Sequence, residues 1–358
     1  IKADVYFASS HGYLSKNKDK EFQVKFNWDL YKKPLDGFTS YFSKNQKNSI
    51  FDFRLSFKNL EKKIIQNNYD AILIFGWNNI FYLKSLYLGK KLGIKTILRV
   101  ETNLQSKMFF LKKYIKYIIL RNFLKLFDSF LYIGSLNKLF YIKHSVPKHK
   151  LYYAPYFIDN EFFFYKNLDK KFIKKKLNLD NKKNILFVGK LIDRKSPHDF
   201  LNLALKFRQY RQLHFTIVGS GYLKNYCKQF INRNKLSNVT LRGFQNQKKL
   251  REIYKVSDLL VLPSKYETWG LVINEAMACG VPVIASKECG ASIDLIKNGI
   301  TGYTYESGNL NQLYSKFRKV ILNTKNHNIM RSNALKKIKG FTYDKTIESV
   351  IKILKKKR

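Results

Sequence analysis

From Asp70 onward, short runs of β-branched and aliphatic residues alternate with longer runs in which apolar residues recur every three or four positions. The short runs predict buried strands and the longer ones predict amphipathic helices. The predicted strands are 71–75, 96–100, 130–133, 185–188, 215–218, 239–241, 259–262 and 283–285. The predicted helices are 82–92, 135–143, 197–210, 223–232, 248–256 and 271–279. This alternation predicts parallel sheets joined by right-handed crossovers.

A lysine-rich segment, 166–183, interrupts the alternation and contains no glycine. We interpret it as a linker between two domains, because a chain of 358 residues exceeds the usual size of one hydrophobic core. The predicted domains are 1–165 and 184–340, and 341–358 is predicted to be a C-terminal helix. The predicted fold class is therefore α/β, with two doubly wound, Rossmann-like parallel sheets that face each other across a cleft.

The segment SKYETWGLVINEAMACGVPVIAS carries two glutamates, Glu267 and Glu275, on either side of Gly270. A helix is predicted to begin after Gly270, and the free amides at the start of a helix carry partial positive charge. A glycine there lets a phosphate approach the backbone closely. Glu267 could then face a sugar attached to the phosphate, and Glu275 could reach a pair of ribose hydroxyls. The spacing alone favours the other interpretation, in which Glu275 is an ordinary exposed helix residue and Glu267 is a loop charge.

The run ETWGLVINEAMACGVPV resembles the signature of glycosyltransferase family 4, retaining enzymes of the GT-B fold, in which two glutamates flank a Gly-Leu-Val-like turn. The resemblance implies that Gly270, Leu271 and Val272 bind the nucleotide-sugar donor. It also implies that Glu267 is a catalytic residue that holds the donor sugar, and that Glu275 binds the ribose. Further matches in IVGSG, SDLLVLPS and NGITGYTY extend the resemblance over about 184–310.

The segment VGKLIDRKS resembles a strand end of the same family, where a glycine precedes two basic residues five positions apart. Here these residues are Gly189, Lys190 and Lys195, and the resemblance implies that both lysines stabilise the departing diphosphate as catalytic residues. The first of them is commonly Arg in the family, so Lys190 replaces a bidentate fork with a point charge. Gly243 and Phe244, in VTLRGF, resemble residues near the nucleotide base.

The N-terminal half resembles one bacterial branch of these transferases more loosely, through FNWDLYKKPLDGFTSYF, ILRVETN and APYFIDNEFF. Family members usually begin with a strand and a Gly-containing loop that help to close the donor site, and we expect this chain to lack that first strand. Many relatives carry a His near the position of Arg99 and Glu101. Either residue could act on the acceptor side, or the two could form a structural ion pair.

The resemblance implies a metal-independent hexosyltransferase without a cofactor. It would move a sugar, with retention, from a nucleotide-diphosphate sugar to a hydroxyl of a glycan or a lipid-linked sugar, in cell-surface polysaccharide or glycolipid synthesis. A nucleotide-sugar epimerase or hydrolase of the same fold is the alternative, because it would need the same diphosphate site but no sugar acceptor.

The net charge of +43 comes from 68 basic and 25 acidic residues, and only 12 of the basic residues are Arg. Lysine-rich charge favours a nonspecific attraction to anions over recognition of bases, for which the planar Arg side chain is better suited. Specific nucleic-acid binding is therefore a remote alternative. The accompanying abundance of Asn, Ile, Phe and Tyr also fits an AT-rich coding sequence, which would produce charge without a selected partner.

Segment 107–125 carries six basic residues and no acidic one, interleaved with aromatic and aliphatic residues. It could lie on an anionic membrane, or it could be a helix packed within the N-terminal domain with its lysine stems along the surface. The three cysteines have no metal-like spacing, and no apolar run reaches the length of a membrane-spanning helix. We therefore predict a cytoplasmic protein that can contact the inner face of the cell membrane peripherally.

Overall fold

The computed structural model describes residues 2–7, 17–18, 25–26, 39–42, 57–104, 110–164 and 169–356. The chain divides into two compact units. The first unit consists of Ile1–Asn17, Tyr31–Pro155 and Tyr343–Arg358, and the second of Lys18–Leu30 and Tyr156–Thr342. The segment FNWDLYKKPLDGFTSYF, which carries part of the N-terminal resemblance, lies mostly outside the described residues.

The strands before residue 156 are β1 (Asp4–Phe7), β2 (Asn17–Lys18), β3 (Lys25–Phe26), β4 (Thr39–Phe42), β5 (Ala71–Ile74), β6 (Lys95–Arg99), β7 (Ser129–Tyr132) and β8 (Leu151–Tyr153). The helices are α1 (Phe57–Asn67), α2 (Ile80–Lys91), α3 (Phe110–Leu124) and α4 (Ser135–Lys143). Strands β5 to β8 form a parallel sheet in chain order, and β1 pairs in parallel with β4. The sequence predicted β5, β6, β7, α2 and α4 to within two residues, but it missed the short strand β8.

One hydrophobic core joins the sheet of the first unit to three of its helices. Leu98 of β6 and Phe130 of β7 are buried together with Leu124 of α3 and Phe140 of α4. Leu86 of α2 belongs to the same cluster. The alternation of strand and helix thus forms the layered parallel sheet that the sequence predicted.

The second unit contains the strands β9 (Lys183–Val188), β10 (Leu213–Val218), β11 (Val239–Leu241), β12 (Leu259–Leu262), β13 (Val283–Ser286) and β14 (Gly302–Tyr305). Its helices are α5 (Asn160–Phe164), α6 (Lys170–Lys176), α7 (Pro197–Lys206), α8 (Lys224–Arg233), α9 (Gln247–Lys255), α10 (Leu271–Ala278), α11 (Gly290–Leu295), α12 (Leu310–Ile321) and α13 (Thr324–Ile338). The six strands form one parallel sheet in the order β11-β10-β9-β12-β13-β14. The predictions for β9 to β13 and for α8 to α10 are confirmed to within two residues.

Helix α7 ends four residues earlier than the sequence predicted. The amides of Arg208 and Tyr210 bond to the carbonyls of Leu205 and Phe207, each three residues back, so the helix closes in tight turns. These turns keep the Phe207 ring in the core, where it packs 4.6 Å from Phe317 between ring centres.

Helix α6 lies in the lysine-rich segment for which the sequence predicted a linker; residues 166–168 of that segment lie outside the described residues. Asp169 caps α6, because its carboxylate accepts a hydrogen bond from the Lys171 amide at 2.8 Å. Ile173 is buried in a small cluster with Leu179 and Val256. The described part of the segment thus packs on the second unit.

The last helix, α14 (Tyr343–Lys355), follows the second unit in the chain but packs on the first. Its Ser349 hydroxyl donates to the Tyr153 carbonyl, and Ile353 is buried with Ile97 and Leu131. The Lys95 ammonium donates to the Ile353 carbonyl at 3.1 Å. In the part of the chain that the structure describes, no helix is both long and apolar enough to cross a bilayer.

Candidate active site

The sheet of the second unit has a topological switch point between β9 and β12. From β9 the chain steps outward to β10 and β11, and it then returns to place β12 on the other side of β9. The connections on the two sides of β9 thus run in opposite directions along the sheet, and such a reversal generally leaves a crevice at the carboxyl ends of the neighbouring strands. Doubly wound sheets bind their ligands in such a crevice.

The loops after β9 and β12 bring two of the predicted catalytic residues into contact. Lys195 ends a single turn of 3-10 helix after β9, and its ammonium forms an ion pair with the Glu267 carboxylate on the loop after β12. The two side chains are only 13% and 11% exposed, so solvent screens this pair weakly. The guanidinium of Arg194 lies 3.9 Å from the other oxygen of Glu267.

Backbone hydrogen bonds fix the position of the Glu267 loop. The Lys265 amide donates to the Arg194 carbonyl at 2.8 Å, which joins this loop to the one after β9. On the other side, the Glu267 amide donates to the backbone carbonyl of Glu288 at 3.1 Å, and the Glu267 carbonyl accepts from the Gly290 amide at 3.0 Å. Gly290 is required there, because a Cβ atom at that position would lie 2.0 Å from the Thr268 carbonyl oxygen.

Gly270 makes the turn that the sequence predicted. It adopts a φ of +100°, in the left-handed region that favours glycine, and α10 begins directly after it at Leu271. A Cβ atom on Gly270 would lie 3.3 Å from the Cγ atom of Glu267, so the start of the helix is adjacent to this glutamate. The first amides of α10, at Leu271 and Val272, follow on the same turn, and such amides attract anions.

Glu275 is not the ordinary exposed helix residue that the spacing also allowed. It is 7% exposed, and one carboxylate oxygen accepts a 2.8 Å hydrogen bond from the Tyr254 hydroxyl of α9. Burial raises the pKa of Glu275 to about 7, although the bond from Tyr254 acts in the opposite direction. A buried carboxyl with so high a pKa is a common feature of functional sites.

Glycines close the ends of β9, β10 and β11. The Gly219 amide donates to the Gly243 carbonyl at 2.8 Å, and a Cβ atom on Gly219 would lie 1.8 Å from the carbonyl oxygen of Gly189. Lys190 comes directly after Gly189, and a Cβ atom on Gly189 would lie 3.8 Å from the Cδ atom of Lys195. The structure thus places the predicted donor residues Gly189, Lys190 and Gly243 on neighbouring strand ends; half-buried Phe244 follows Gly243.

Sequence reasoning missed Arg194, Tyr254 and a buried network around Trp269. Arg194 could have been found, since it directly precedes Lys195 in the same short motif. The Trp269 indole N–H donates to the Asn274 side chain at 2.9 Å, and the Asn274 amide group donates to the Tyr156 carbonyl at 3.2 Å. No sequence pattern indicates these partners, because the fold joins segments that are far apart in the chain.

Arg99 and Glu101, the predicted acceptor-side residues, belong to the first unit. Arg99 ends β6, and burial lowers the pKa of its guanidinium while the nearby Glu101 charge acts to raise it. An electrostatic interaction between the two residues is therefore present, and a role for either with an acceptor stays a prediction. Among the residues with described positions, no group of three His, Cys, Asp or Glu side chains could hold a metal ion.

Comparison with known proteins gives one family and a set of partial relatives. Residues 169–337 match the family model for glycosyl transferases group 1. An uncharacterized glycosyltransferase of Methanocaldococcus jannaschii is 37% identical over 34% of this chain and 32% of its own length. A galactosyltransferase of Escherichia coli named for UDP-Gal and α-D-GlcNAc-diphosphoundecaprenol is 31% identical over 46% and 43%. The matched region thus spans a third to less than half of these relatives.

Solved structures show the fold over nearly the whole chain. The Anabaena protein HepE, in complex with UDP, superposes with a TM-score of 0.75 over 98% of this chain and 99% of its own, at 18% identity. A sucrose-phosphate synthase of Thermosynechococcus elongatus superposes with a TM-score of 0.69 over 98% and 88%, also at 18% identity. With its two large parallel sheets and these structural neighbours, this chain has the GT-B fold, and its residues 169–337 match the model of the glycosyl transferases group 1 family.

Proposed function

We propose that this protein is a retaining glycosyltransferase that moves a hexosyl unit from a nucleotide-diphosphate sugar to a hydroxyl acceptor. The contact between Lys195 and Glu267 carries this proposal, because it brings a cation and a carboxylate together at the switch point, beside the amide-bearing start of α10. The cation and the amides suit a diphosphate, and the carboxylate suits the hydroxyls of a sugar.

In the proposed reaction, Lys190, Lys195 and the first amides of α10 stabilise the negative charge that develops on the leaving diphosphate. Glu267 accepts hydrogen bonds from donor-sugar hydroxyls and orients the anomeric carbon, while Glu275 binds the ribose. The acceptor oxygen attacks from the face that the diphosphate leaves. The bond from the anomeric carbon to the phosphate oxygen breaks, and a donor phosphate oxygen takes the acceptor proton.

A double displacement by the two glutamates is disfavoured by their surroundings. Glu275 is buried and bonded to Tyr254, while Glu267 is paired with Lys195. A retaining glycosidase instead holds two carboxyl groups about 5 Å apart on either side of the scissile bond. The chain is therefore expected to use the donor's own phosphate as the base.

Similar proteins suggest substrates to test. HepE has been solved with UDP-glucose, one relative is named as a GDP-mannose-dependent mannosyltransferase, and another for a diphosphoundecaprenol-linked sugar. We propose a nucleotide hexose as donor and a glycan or lipid-linked sugar as acceptor, in surface polysaccharide or glycolipid synthesis at the cytoplasmic side of the membrane.

A thermal-shift screen with UDP-glucose, UDP-galactose, GDP-mannose and ADP-glucose tests the proposal. At a concentration 100 times its Kd, a true donor should stabilise the protein by about 2.7 kcal/mol, which is several degrees in Tm. The stabilising donor is then incubated with and without a lipid-linked sugar. Sugar transfer only with acceptor supports a transferase, whereas sugar release or epimerised donor without acceptor supports the alternative enzyme. If no nucleotide sugar raises the Tm, the proposal is wrong.

A contact between the first unit and an anionic membrane is a second part of the proposal. Helix α3 buries one face, with Leu120 and Leu124 in the core. Its other face is apolar and 42–62% exposed, formed by Tyr114, Ile115, Ile118 and Ile119. The cations Lys116, Arg121 and Lys125 flank this face. Such a face suits the interface of an anionic bilayer, where a lipid-linked acceptor lies.

Vesicle sedimentation measures this contact. We expect the protein to bind phosphatidylglycerol–phosphatidylcholine vesicles at low salt, and an Ile115→Ser, Ile119→Ser variant to bind at least about tenfold more weakly, since two exposed isoleucines leave the lipid. The control is Ile329→Ser, Ile347→Ser, which removes two comparably exposed isoleucines from α13 and α14. Absence of binding by the unaltered protein, or an equal loss in the control, contradicts the membrane contact.

A further inference from the structure

We propose that the Lys195–Glu267 ion pair is a specificity device that makes the site prefer a nucleotide sugar to the bare nucleoside diphosphate. The inference rests on the proposed function and deepens it. In that function Lys195 binds the diphosphate and Glu267 binds the sugar hydroxyls. In this structure, however, the two side chains form an ion pair with each other. A ligand that needs one of them must therefore change the surroundings of the other.

The Glu267 carboxylate depends on its partners because it is almost removed from water. Its side chain is 11% exposed, and its cationic neighbours are Lys195 in direct contact and Arg194 at 3.9 Å. A buried carboxylate that loses its partner is strongly destabilised, because the low-dielectric surroundings cannot replace the lost interaction. The backbone bonds to Glu288 and Gly290 keep the loop in place, so the side chain cannot simply swing into solvent with its loop.

A bare nucleoside diphosphate binds the Lys195 ammonium but has no sugar hydroxyl that could donate a hydrogen bond to the Glu267 carboxylate. Its phosphate oxygens compete for the Lys195 ammonium, and their negative charge also repels Glu267. Binding of the diphosphate thus leaves a buried carboxylate with a weakened partner next to a like charge. The site resists this ligand although it holds the cations that recognise it.

A nucleotide sugar compensates Glu267 for the loss of its ion pair. Its sugar hydroxyls donate hydrogen bonds to the Glu267 carboxylate while its phosphates bind the Lys195 ammonium. The carboxylate exchanges one partner for another instead of losing it. After sugar transfer the hydroxyls are no longer attached to the nucleotide, and the ion pair between Glu267 and Lys195 forms again. The pair therefore favours donor binding before transfer and diphosphate release after it.

Calorimetric titration of the unaltered protein and of Glu267→Gln tests this inference. UDP, GDP and ADP are each compared with the corresponding glucose or mannose nucleotide. For the base that binds, we expect the bare diphosphate to bind Glu267→Gln about tenfold more tightly, a change of about 1.4 kcal/mol. The nucleotide sugar should gain no affinity, so the preference for the sugar-bearing ligand falls.

Removing any nearby negative charge would strengthen anion binding to some extent, so a matched variant is needed. Glu288→Gln removes a carboxylate two residues before Gly290 in the neighbouring segment, and that carboxylate accepts from the Ser307 amide instead of pairing with Lys195. It should tighten diphosphate binding much less than Glu267→Gln. The double variant Lys195→Met, Glu267→Gln lacks both charges of the pair. It should bind the bare diphosphate only slightly more tightly than Lys195→Met does, by about the small factor expected for Glu288→Gln.

Two results would overturn the inference: equal tightening by Glu267→Gln and Glu288→Gln, or an unchanged preference for the nucleotide sugar in Glu267→Gln. If Glu267→Gln is too unstable to titrate, the comparison of the double variant with Lys195→Met decides, since a full tenfold gain there would show that Lys195 is not involved. Absence of binding by every nucleotide and nucleotide sugar to the unaltered protein would instead overturn the proposed function itself.

Discussion

Replacing Lys195 with methionine should lower kcat for sugar transfer by roughly 100- to 1,000-fold. Methionine keeps most of the length and apolar surface of the side chain but removes its charge. The leaving diphosphate gains negative charge in the transition state, and the loss of one preorganised stabilising group at such a position raises the barrier by roughly 3–4 kcal/mol. Because Lys195 is largely buried beside Glu267, water cannot substitute for its ammonium.

The kinetic signature separates this role from simple donor binding. A group that acts mainly on the transition state lowers kcat, whereas one that binds substrate and transition state equally raises KM. Lys265→Met is the matched control, since it removes an exposed lysine from the loop that carries Glu267. Steady-state kinetics should show nearly normal kcat for the control and partial recovery for Lys195→Arg. A Lys195→Met enzyme with normal kcat and a raised KM would contradict the catalytic role.

Replacing Glu275 with glutamine should stabilise the folded protein at pH 8 while weakening donor binding. Burial raises the pKa of Glu275 from 4.5 to about 7. The folded state thus holds a proton that the unfolded chain releases between these two pH values, so stability falls as pH rises through this window. Above pH 7 the buried charge costs the folded state roughly 3 kcal/mol. Glutamine is neutral at every pH and can still accept from Tyr254.

Thermal unfolding at two pH values measures this effect. The Tm of Glu275→Gln should exceed that of the unaltered protein at pH 8, and the difference should shrink toward pH 5, where Glu275 is protonated in the folded state. Glu306→Gln is the control, because it removes a carboxylate from an exposed ion pair with Lys287 and should leave the Tm nearly unchanged. The prediction is contradicted if the Tm difference between Glu275→Gln and the unaltered protein is no larger at pH 8 than at pH 5.

The same variant tests whether Glu275 serves the ribose. A buried group that lowers stability is expected to be retained for function, because stability and activity often trade off at active sites. We therefore expect donor affinity to fall about tenfold in Glu275→Gln, the usual effect of a weakened hydrogen bond to a charged group. Unchanged affinity in a more stable protein would leave Glu275 without a ligand role.

Much of the fold and part of the site follow from local sequence. Runs such as Leu259–Leu262 are apolar without interruption, as strands covered on both faces must be, and they predicted the parallel sheet. Gly270 predicted a turn and a helix start, because few residues other than glycine adopt its φ of +100°. The family signature around Glu267, Gly270 and Glu275 added the expected roles, which the spacing alone left open.

Local sequence failed where several segments decide together. Strand β8 spans only Leu151–Tyr153, too short for a pattern, and its pairing with β7 defines it. Helix α6 lies in a run of lysines that predicted a linker, yet burial of Ile173 against Val256, 83 positions later, holds it on the second unit. In both cases a few distant apolar contacts outweigh a weak local signal.

The sequence by itself determined the alternation of strand and helix, the turn before α10 and the residues with the relevant chemistry, because these depend on periodicity, glycine conformation and side-chain type. Only the tertiary structure decided that Lys195 contacts Glu267 and that Tyr254 contacts Glu275. Both pairings depend on strand order, which places the ends of β9 and β12 side by side, and on burial, which makes each carboxylate depend on its partner.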